Sequence, residues 1–149
     1  MKEAGFSLIE ILIVVAILGI LSAIAVPNLL RSRQAAFEAN ALRYVKTWLP
    51  GQELYKRAHG RYADSDEILV TEQFINKGMS GGVADDTAYV YSIDSDSTNS
   101  DGTPNITTWF GTARRRTGYN KIHSYYIDQT GLVRSSFSST ATALDPPVD

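Results

Sequence analysis

The longest uninterrupted pattern in the chain is apolar. From Ile11 to Leu30 no residue is charged, and aliphatic side chains occupy every helical face without a polar stripe. At about 1.5 Å per residue, a helix of this length crosses the hydrocarbon core of a bilayer. A helix that is apolar on all sides has to be surrounded by lipid or by other helices. The pattern therefore predicts such a helix over residues 6–30.

Three residues weaken this helix near its middle and end. Gly19 has no side chain, Ser22 brings a competing hydroxyl, and Pro27 lacks an amide donor and clashes with the preceding turn. We expect a bend or local melting between Gly19 and Pro27. The alternative is a proline kink in a helix that stays continuous.

The pattern becomes amphipathic after Pro27. Aromatic side chains recur at heptad-like spacing along one stripe, while charged residues lie mostly elsewhere. The aromatic members of the stripe are Phe37, Tyr44, Trp48, Tyr55 and Tyr62, and Ala41, Gln52 and His59 complete the spacing. We expect the stripe to pack residues 31–59 of the helix into a globular region spanning residues 31–149. Pro50-Gly51 interrupts the stripe and predicts a second kink or short break.

A short second helix is predicted after the long one. Asp64 is placed to cap it, with Glu67 three residues later as its capping-box partner, and Gly78 follows its expected end.

The period then changes to that of strands. Four runs rich in β-branched and aromatic residues are separated by turn residues: Tyr89 to Asp94, Thr107 to Ala113, Ser124 to Asp128 and Leu132 to Phe137. Gln129-Thr130-Gly131 predicts a tight hairpin between the last two. The expected fold is α+β: a long N-terminal helix, with its apolar half protruding and its amphipathic half packed, under a small antiparallel sheet of three or four strands over residues 85–140, approximately.

The net charge and the types of reactive side chain limit the classes of function that are expected. The net charge of −2 gives no global argument for nucleic-acid binding. The one basic run is Arg114 to Arg116, for which a solvated turn is the simplest interpretation, with contact to DNA or to an acidic neighbouring protein as the alternatives. There is no cysteine, and neither His59 nor His123 belongs to a known catalytic spacing. The chain is therefore not expected to be an enzyme.

The first thirty residues allow two general interpretations. A secretory signal peptide would use Ala23-Ile24-Ala25 as its cleavage site, but Glu10 lies where the apolar core should begin. A single-span anchor explains the length but leaves Glu10 unexplained, since an acidic residue costs about 3 kcal/mol at the centre of a span and less near its end. Basic residues flank both ends, so charge does not set the orientation.

A third interpretation comes from resemblance. The stretch GFSLIEILIVVAILGILSAIAVPNLL is similar to the N-terminal sequence of type IV pilins and related pseudopilins. It has a glycine before an aromatic residue, a glutamate five residues into the mature chain, an unbroken aliphatic run, and Gly19 and Pro27 at the family's spacing. The resemblance covers residues 1 to about 60 and implies the ladle-like pilin fold.

The resemblance implies how the N-terminus is processed. Residues 1–5 would be a leader removed by a prepilin peptidase between Gly5 and Phe6, after which the new amino group of Phe6 is N-methylated. Residues 6–30 would first anchor the precursor in the inner membrane and then form the filament core. There Glu10 would face the Phe6 ammonium of a neighbouring subunit.

The resemblance also implies partners. These are copies of the chain in a helical filament, the prepilin peptidase, an inner-membrane platform protein, an assembly ATPase and minor pilins, with nucleic acid left open. The expected function is a subunit of an extracellular type IV pilus serving adhesion, motility or DNA uptake. The alternative is a pseudopilin in a periplasmic pseudopilus of type II secretion. A third is a secreted or membrane-anchored module unrelated to pilins.

No cofactor is expected, with calcium as the one ligand to consider. Major pseudopilins of type II secretion carry a calcium site, and Asp94, Asp96 and Asp101 are weak candidates for ligands here. Their loop departs from the EF-hand pattern and has no closing glutamate, which favours a solvated hairpin loop.

Overall fold

The structure, a computed structural model, describes residues 6–76, 88–94 and 107–148. Its elements in chain order are α1 (Leu8–His59), α2 (Asp66–Thr71), β1 (Tyr89–Asp94), β2 (Phe110–Arg115), β3 (Ser124–Asp128) and β4 (Arg134–Ser136). The chain divides into two compact units, which we call the N-terminal unit (Met1–Ala35) and the C-terminal unit (Ala36–Asp149).

Helix α1 is uninterrupted over its 52 residues. Local melting between Gly19 and Pro27 is therefore absent here, and the predicted short break at Pro50-Gly51 is wrong. A proline removes one hydrogen bond from the ladder, and in a helix this long the turns on either side remain bonded. The alternative of a continuous helix is the one observed, while flexibility within a fibre stays a prediction.

Packing explains why glycine follows Pro50. Gly51 is buried, and the side-chain methyl of Ile75 occupies the space that a Cβ on Gly51 would need. The segment after α2 therefore lies directly against the α1 backbone. The packing energy of this approach offsets the low helix propensity of glycine.

The four strands form one antiparallel sheet in the order β1-β2-β3-β4. With the long helix this confirms the predicted α+β fold. Strand β2 begins at Phe110, three residues later than predicted, and Phe110 pairs with Asp94 of β1. The turn between β3 and β4 closes through a 3.0 Å bond from the Gly131 amide to the Asp128 carbonyl, and Gly131 has a φ of +78° that favours glycine.

Helix α2 is capped by Ser65, not by Asp64 as predicted. Ser65 has the extended conformation of an N-cap, and its hydroxyl accepts a 3.3 Å bond from the amide of Ile68. The helix begins one residue later than the sequence pattern placed it, so the oxygen three residues before Ile68 belongs to Ser65. It also ends at Thr71, and Gly78 lies outside the described residues.

With no cysteine in the chain, hydrogen bonds hold the C-terminal segment. Ser135 donates from its amide to the carbonyl of Pro146 at 3.1 Å, and Val148 donates to Val133 at 2.8 Å. Arg134 adds a 2.8 Å bond to the carbonyl of Asp145. The segment therefore extends the sheet edge formed by β4.

The core lies between α1 and the inner face of the sheet. Gly111 in β2 has no side chain where the six-membered ring of Trp48 contacts the strand backbone. Both Trp48 and Trp109 are buried, so the indole rings report on the packing of this unit.

Replacing Gly111 with alanine should destabilise the C-terminal unit by about 1–3 kcal/mol, because the new methyl group would overlap the Trp48 ring inside a filled core. Chemical unfolding of the full chain in detergent, followed by tryptophan fluorescence, would measure the loss. Arg43→Ala, at an exposed position on α1, is the control and should stay within about 0.5 kcal/mol of wild type. A Gly111→Ala variant as stable as that control would contradict the packing argument.

Candidate functional site

The N-terminal unit exposes an apolar surface that its own fold leaves uncovered. Between Phe6 and Leu30 there are sixteen large apolar side chains, and each is at least 51% exposed. By length and composition, α1 contains a segment able to cross a membrane, and none of that segment is buried within the chain. Such a surface requires lipid or other protein around it.

The polar site of this unit lies in the first turn of α1. The backbone amide of Ser7 donates a 2.8 Å hydrogen bond to the Glu10 carboxylate, and the Glu10 amide donates to the Ser7 carbonyl at 3.1 Å. The side chain of Glu10 thus returns to the residue before the helix, as the glutamate of a capping box does. An acidic group in the first turn also interacts favourably with the helix dipole.

The hydrogen bond between Ser7 and Glu10 was not among our predictions, although the sequence contains a pattern that indicates it. Ser7-Leu8-Ile9-Glu10 fits the S-x-x-E capping-box pattern directly before an apolar run. Because a charge is unusual in a membrane segment, we predicted a partner for Glu10 on a neighbouring subunit instead. Glu10 therefore has a partner within its own chain.

The other predicted N-terminal residues are less constrained. Phe6 is 84% exposed, and Gly5 lies outside the described residues. A Cβ placed on Gly19 would meet no atom within 4 Å, so packing within this chain does not require glycine there. Pro27 lies within α1. Cleavage at Gly5 and pairing of Glu10 with a neighbouring Phe6 stay predictions.

The predicted stripe lies against the core of the C-terminal unit. Tyr44, Trp48, Tyr55 and Tyr62 are buried, and Phe37 is partly buried against the same core. Edge-to-face contacts join several of these rings to the rest of the unit: Tyr44 to Tyr91, Tyr55 to Phe74 and Phe37 to Tyr119. These contacts give the rings a structural role.

Gln52 completes the stripe with a buried polar contact. Its side-chain amide donates to the Ala63 carbonyl at 2.8 Å, while its side-chain oxygen accepts from the Ala63 amide at 2.7 Å. Both backbone groups of a connecting segment are satisfied by one side chain. The contact fixes where the chain returns after α1.

Both histidines have structural positions. His123 donates its backbone amide to Glu38, and its Nδ1 lies 2.7 Å from the same carboxylate oxygen. His59 lies 3.1 Å from Glu72 and stacks on Tyr55. Each pair joins α1 to a segment distant in sequence.

Tyr125 in β3 is the group whose acidity this packing changes. Its burial, and to a smaller degree the negative charge of Glu38, raise the pKa of Tyr125 to about 12. The phenol is therefore held neutral well above the pH at which an exposed tyrosine ionises.

The basic run is not a solvated turn, in contrast to our prediction. Arg114 and Arg115 belong to β2, and Arg115 donates to the carbonyls of Ser138 and Tyr119 at 3.1 and 3.2 Å. The strand continues to Arg115 because it pairs with Tyr89 at the start of β1.

The calcium candidates lie only partly within the described residues. Asp94 is exposed at the end of β1, whereas Asp96 and Asp101 lie outside the described ranges. Within those ranges, no group of three or more acidic or histidine side chains is arranged to hold a metal ion. The calcium hypothesis stays a prediction.

The N-terminal part of the chain matches known proteins. Residues 1–26 match the family model described as the prokaryotic N-terminal methylation motif. The chain is 37% identical over 67 residues to the type IV wide pilus major component PilA4 of Thermus thermophilus, covering 45% of this chain and 51% of that protein.

Secretion proteins match equally well. The chain is 36% identical over 74 residues to the type II secretion system core protein G of Vibrio cholerae serotype O1, covering 48% of this chain and 51% of the relative. It thus spans about half the length of these relatives. No solved structure matches the chain. The resemblance to type IV pilins and pseudopilins is confirmed.

Ionisation of Tyr125 should weaken the fold in alkali. The folded state holds the proton to about pH 12 whereas an unfolded chain releases it near pH 10, so stability is intact below pH 10 and is lost as the pH rises through this window. Tyr125→Phe should lose less stability between pH 9 and 12 than wild type, measured by thermal unfolding in detergent. Tyr119→Phe, which removes a half-buried phenol, is the control. Parallel pH curves for wild type and Tyr125→Phe would contradict the argument.

Proposed function

We propose that this chain is the structural subunit of a type IV pilus. It is stored in the inner membrane, cut between Gly5 and Phe6 by a prepilin peptidase, N-methylated on Phe6, and polymerised through residues 6–30 into an extracellular filament. The observation that carries the proposal is the set of sixteen exposed apolar side chains, on the segment that carries the methylation motif. Such a surface fits lipid before assembly and neighbouring helices after it.

Glu10 gives the assembly step a physical basis. Cleavage before Phe6 creates a positive amino group, and Glu10 is the one acidic residue between Phe6 and Leu30. At about 4 Å and an effective dielectric near 20, a pair formed between subunits gains about 4 kcal/mol before desolvation is subtracted. Because desolvation removes much of that gain, the pair acts chiefly to fix the stagger of neighbouring subunits.

The partners follow from this role. The subunit requires the peptidase, an inner-membrane platform protein, an assembly ATPase and minor pilins, and the filament serves adhesion, motility or DNA uptake. The chain itself has no catalytic part in these processes.

Similarity to the core protein G sequences favours a second candidate, a pseudopilin of a type II secretion system. The subunit would then be processed in the same way and assemble into a periplasmic pseudopilus. Electron microscopy with antibodies to this chain separates the two, since long surface fibres exclude a purely periplasmic role.

Processing should leave N-methylphenylalanine at position 6. Mass spectrometry of the N-terminal peptide from the native membrane would detect it, together with the loss of residues 1–5. An N-terminus at Val26 would instead indicate a secreted protein, and an intact Met1 would contradict processing.

Two substitutions of Glu10 should distinguish its hydrogen bond to Ser7 from its proposed charge pair with Phe6 of a neighbouring subunit. Glu10→Gln keeps an acceptor for the Ser7 amide but has no charge, whereas Glu10→Ala removes both. Membrane insertion should be unchanged or improved in each because the apolar segment loses a charge.

If the charge pair with Phe6 drives assembly, both variants should lose filaments, measured as sheared fibre per cell. If only the helix cap matters, Glu10→Gln should assemble normally. Full amounts of fibre from Glu10→Ala would exclude both roles. Glu53→Gln, in the C-terminal unit, is the matched control, since it removes one carboxylate and keeps an acceptor for the Tyr62 hydroxyl.

A further inference from the structure

A basic depression lies where β2 ends. The backbone continues the ladder for one more residue, because Arg116 donates its amide to the Ala88 carbonyl at 2.7 Å. Six residues line the depression, and three of them are consecutive arginines: Val90, Arg114, Arg115, Arg116, Thr117 and Ser139. We call these six residues the arginine groove.

Two of the guanidinium groups are fixed by the fold. Arg115 bonds to the carbonyls of Ser138 and Tyr119, and Arg116 donates from Nε to the Tyr89 carbonyl at 3.1 Å. Carbonyl oxygens orient these groups without cancelling their charge. Their remaining donors are therefore positioned before any ligand arrives.

The charge of the groove is not neutralised within the described chain. Both ion pairs found among described residues are histidine–glutamate pairs, and neither includes an arginine of the groove. Arg114 is exposed, and exposed Lys121 follows in the next loop. Three consecutive arginines lining one depression, on a chain with a net charge of −2, create a local positive field that attracts an anionic partner.

The same chain carries a segment of opposite charge. Between Tyr62 and Asn76 there are four acidic residues and no lysine or arginine: Asp64, Asp66, Glu67 and Glu72. Asp66 accepts from the Tyr44 hydroxyl and Glu72 contacts His59, whereas Asp64 and Glu67 are exposed. We call residues 62–76 the acidic segment.

The two charged surfaces contact α1 at different residues. The acidic segment contacts Tyr44 through Asp66 and His59 through Glu72, while the loop after β2 contacts Phe37 through Tyr119. Along a helix with a rise of 1.5 Å per residue, Phe37 lies about 10 Å from Tyr44 and about 33 Å from His59. No ion pair joins the groove to the acidic segment within the described residues. Because Arg114 and Glu67 are both exposed, their opposite charges are available to a second copy.

We propose that the arginine groove of one subunit receives the acidic segment of another copy of this chain, chiefly through Arg114 and Glu67. Since the two surfaces differ, the contact is heterologous: each subunit uses its groove on one neighbour and its acidic segment on the next. Contacts of this type generate open helical assemblies. The inference rests on the proposed filament and adds a contact between C-terminal units to the one made by residues 6–30.

Nucleic acid is the competing ligand for a cluster of arginines. Phosphates would fit the guanidinium groups, but among the described residues no aromatic ring lines the groove to stack on an exposed base. The acidic segment has the required charge and is present at the same concentration as the groove. Nucleic acid is therefore an outcome that the test must separate.

Cysteine cross-linking tests the contact directly, because the natural chain has no cysteine. Arg114→Cys and Glu67→Cys are placed in separate copies and expressed together in the native cell, so that only a contact between copies can join them. Mild oxidation of sheared filaments should give a heterodimer on a non-reducing gel. Lys46→Cys, at an exposed position on α1, replaces Arg114→Cys in the matched control and should give none.

Charge exchange provides an independent measurement. Arg114→Glu or Glu67→Arg alone should reduce filament yield by about two- to fivefold, the range expected for an exposed ion pair, and the double variant should recover it. Equal tryptophan fluorescence in all variants would show that the C-terminal unit remains folded.

The outcomes separate the two proposals. Wild-type filaments without the heterodimer, or a double variant that does not recover, would overturn the groove contact and leave the filament intact. Loss of binding to duplex DNA in Arg114→Glu, with normal filament yield, would assign the groove to nucleic acid. An absence of wild-type filaments on the surface and in the periplasm would overturn the proposed function and this contact with it.

Discussion

The exposed apolar surface of residues 6–30 is the constraint on which the rest of the protein depends. Burial of a large apolar side chain is worth about 1.5–3 kcal/mol, and sixteen such side chains are at least half exposed in the isolated chain. No part of the described fold covers them. The subunit therefore has to exchange one apolar environment for another, and lipid and neighbouring helices are the two that a helix of this kind accepts.

The C-terminal unit solves a different problem, which is to fix the second half of a long helix against a small sheet. Buried aromatic rings are prominent in its core, and two glycines permit close approach, with Ile75 next to Gly51 and Trp48 next to Gly111. Gln52 satisfies the backbone of Ala63 inside the core. The contact of Trp48 with Gly111 positions the sheet on the helix, while the contacts of Ile75 and Ala63 position the segments that follow α1.

Local patterns in the sequence were sufficient for the main elements. The bounds of β1 and β3 follow directly from the residue pattern, because alternation and turn residues act over short distances. The heptad-like spacing likewise identified the side of α1 that faces the core.

Features that depend on tertiary contacts were harder to predict. Pro50-Gly51 looks like a helix break until Ile75 is seen against it, and the end of β2 depends on the length of β1. In the candidate site, the importance of Glu10 followed from its charge. Its contact with Ser7 follows from the capping-box pattern, which is easily missed at the start of a long apolar segment.

Charge has the same physical role in both units of the chain under the two proposals. Apolar contacts between long helices are strong but tolerate sliding, because aliphatic surfaces offer little to distinguish one stagger from the next. A carboxylate that leaves its local amide bond for a neighbour's ammonium penalises every stagger except one. An acidic segment that meets an arginine groove imposes a second, independent restriction. Apolar burial then supplies the driving force for assembly, while a few charged groups select its geometry.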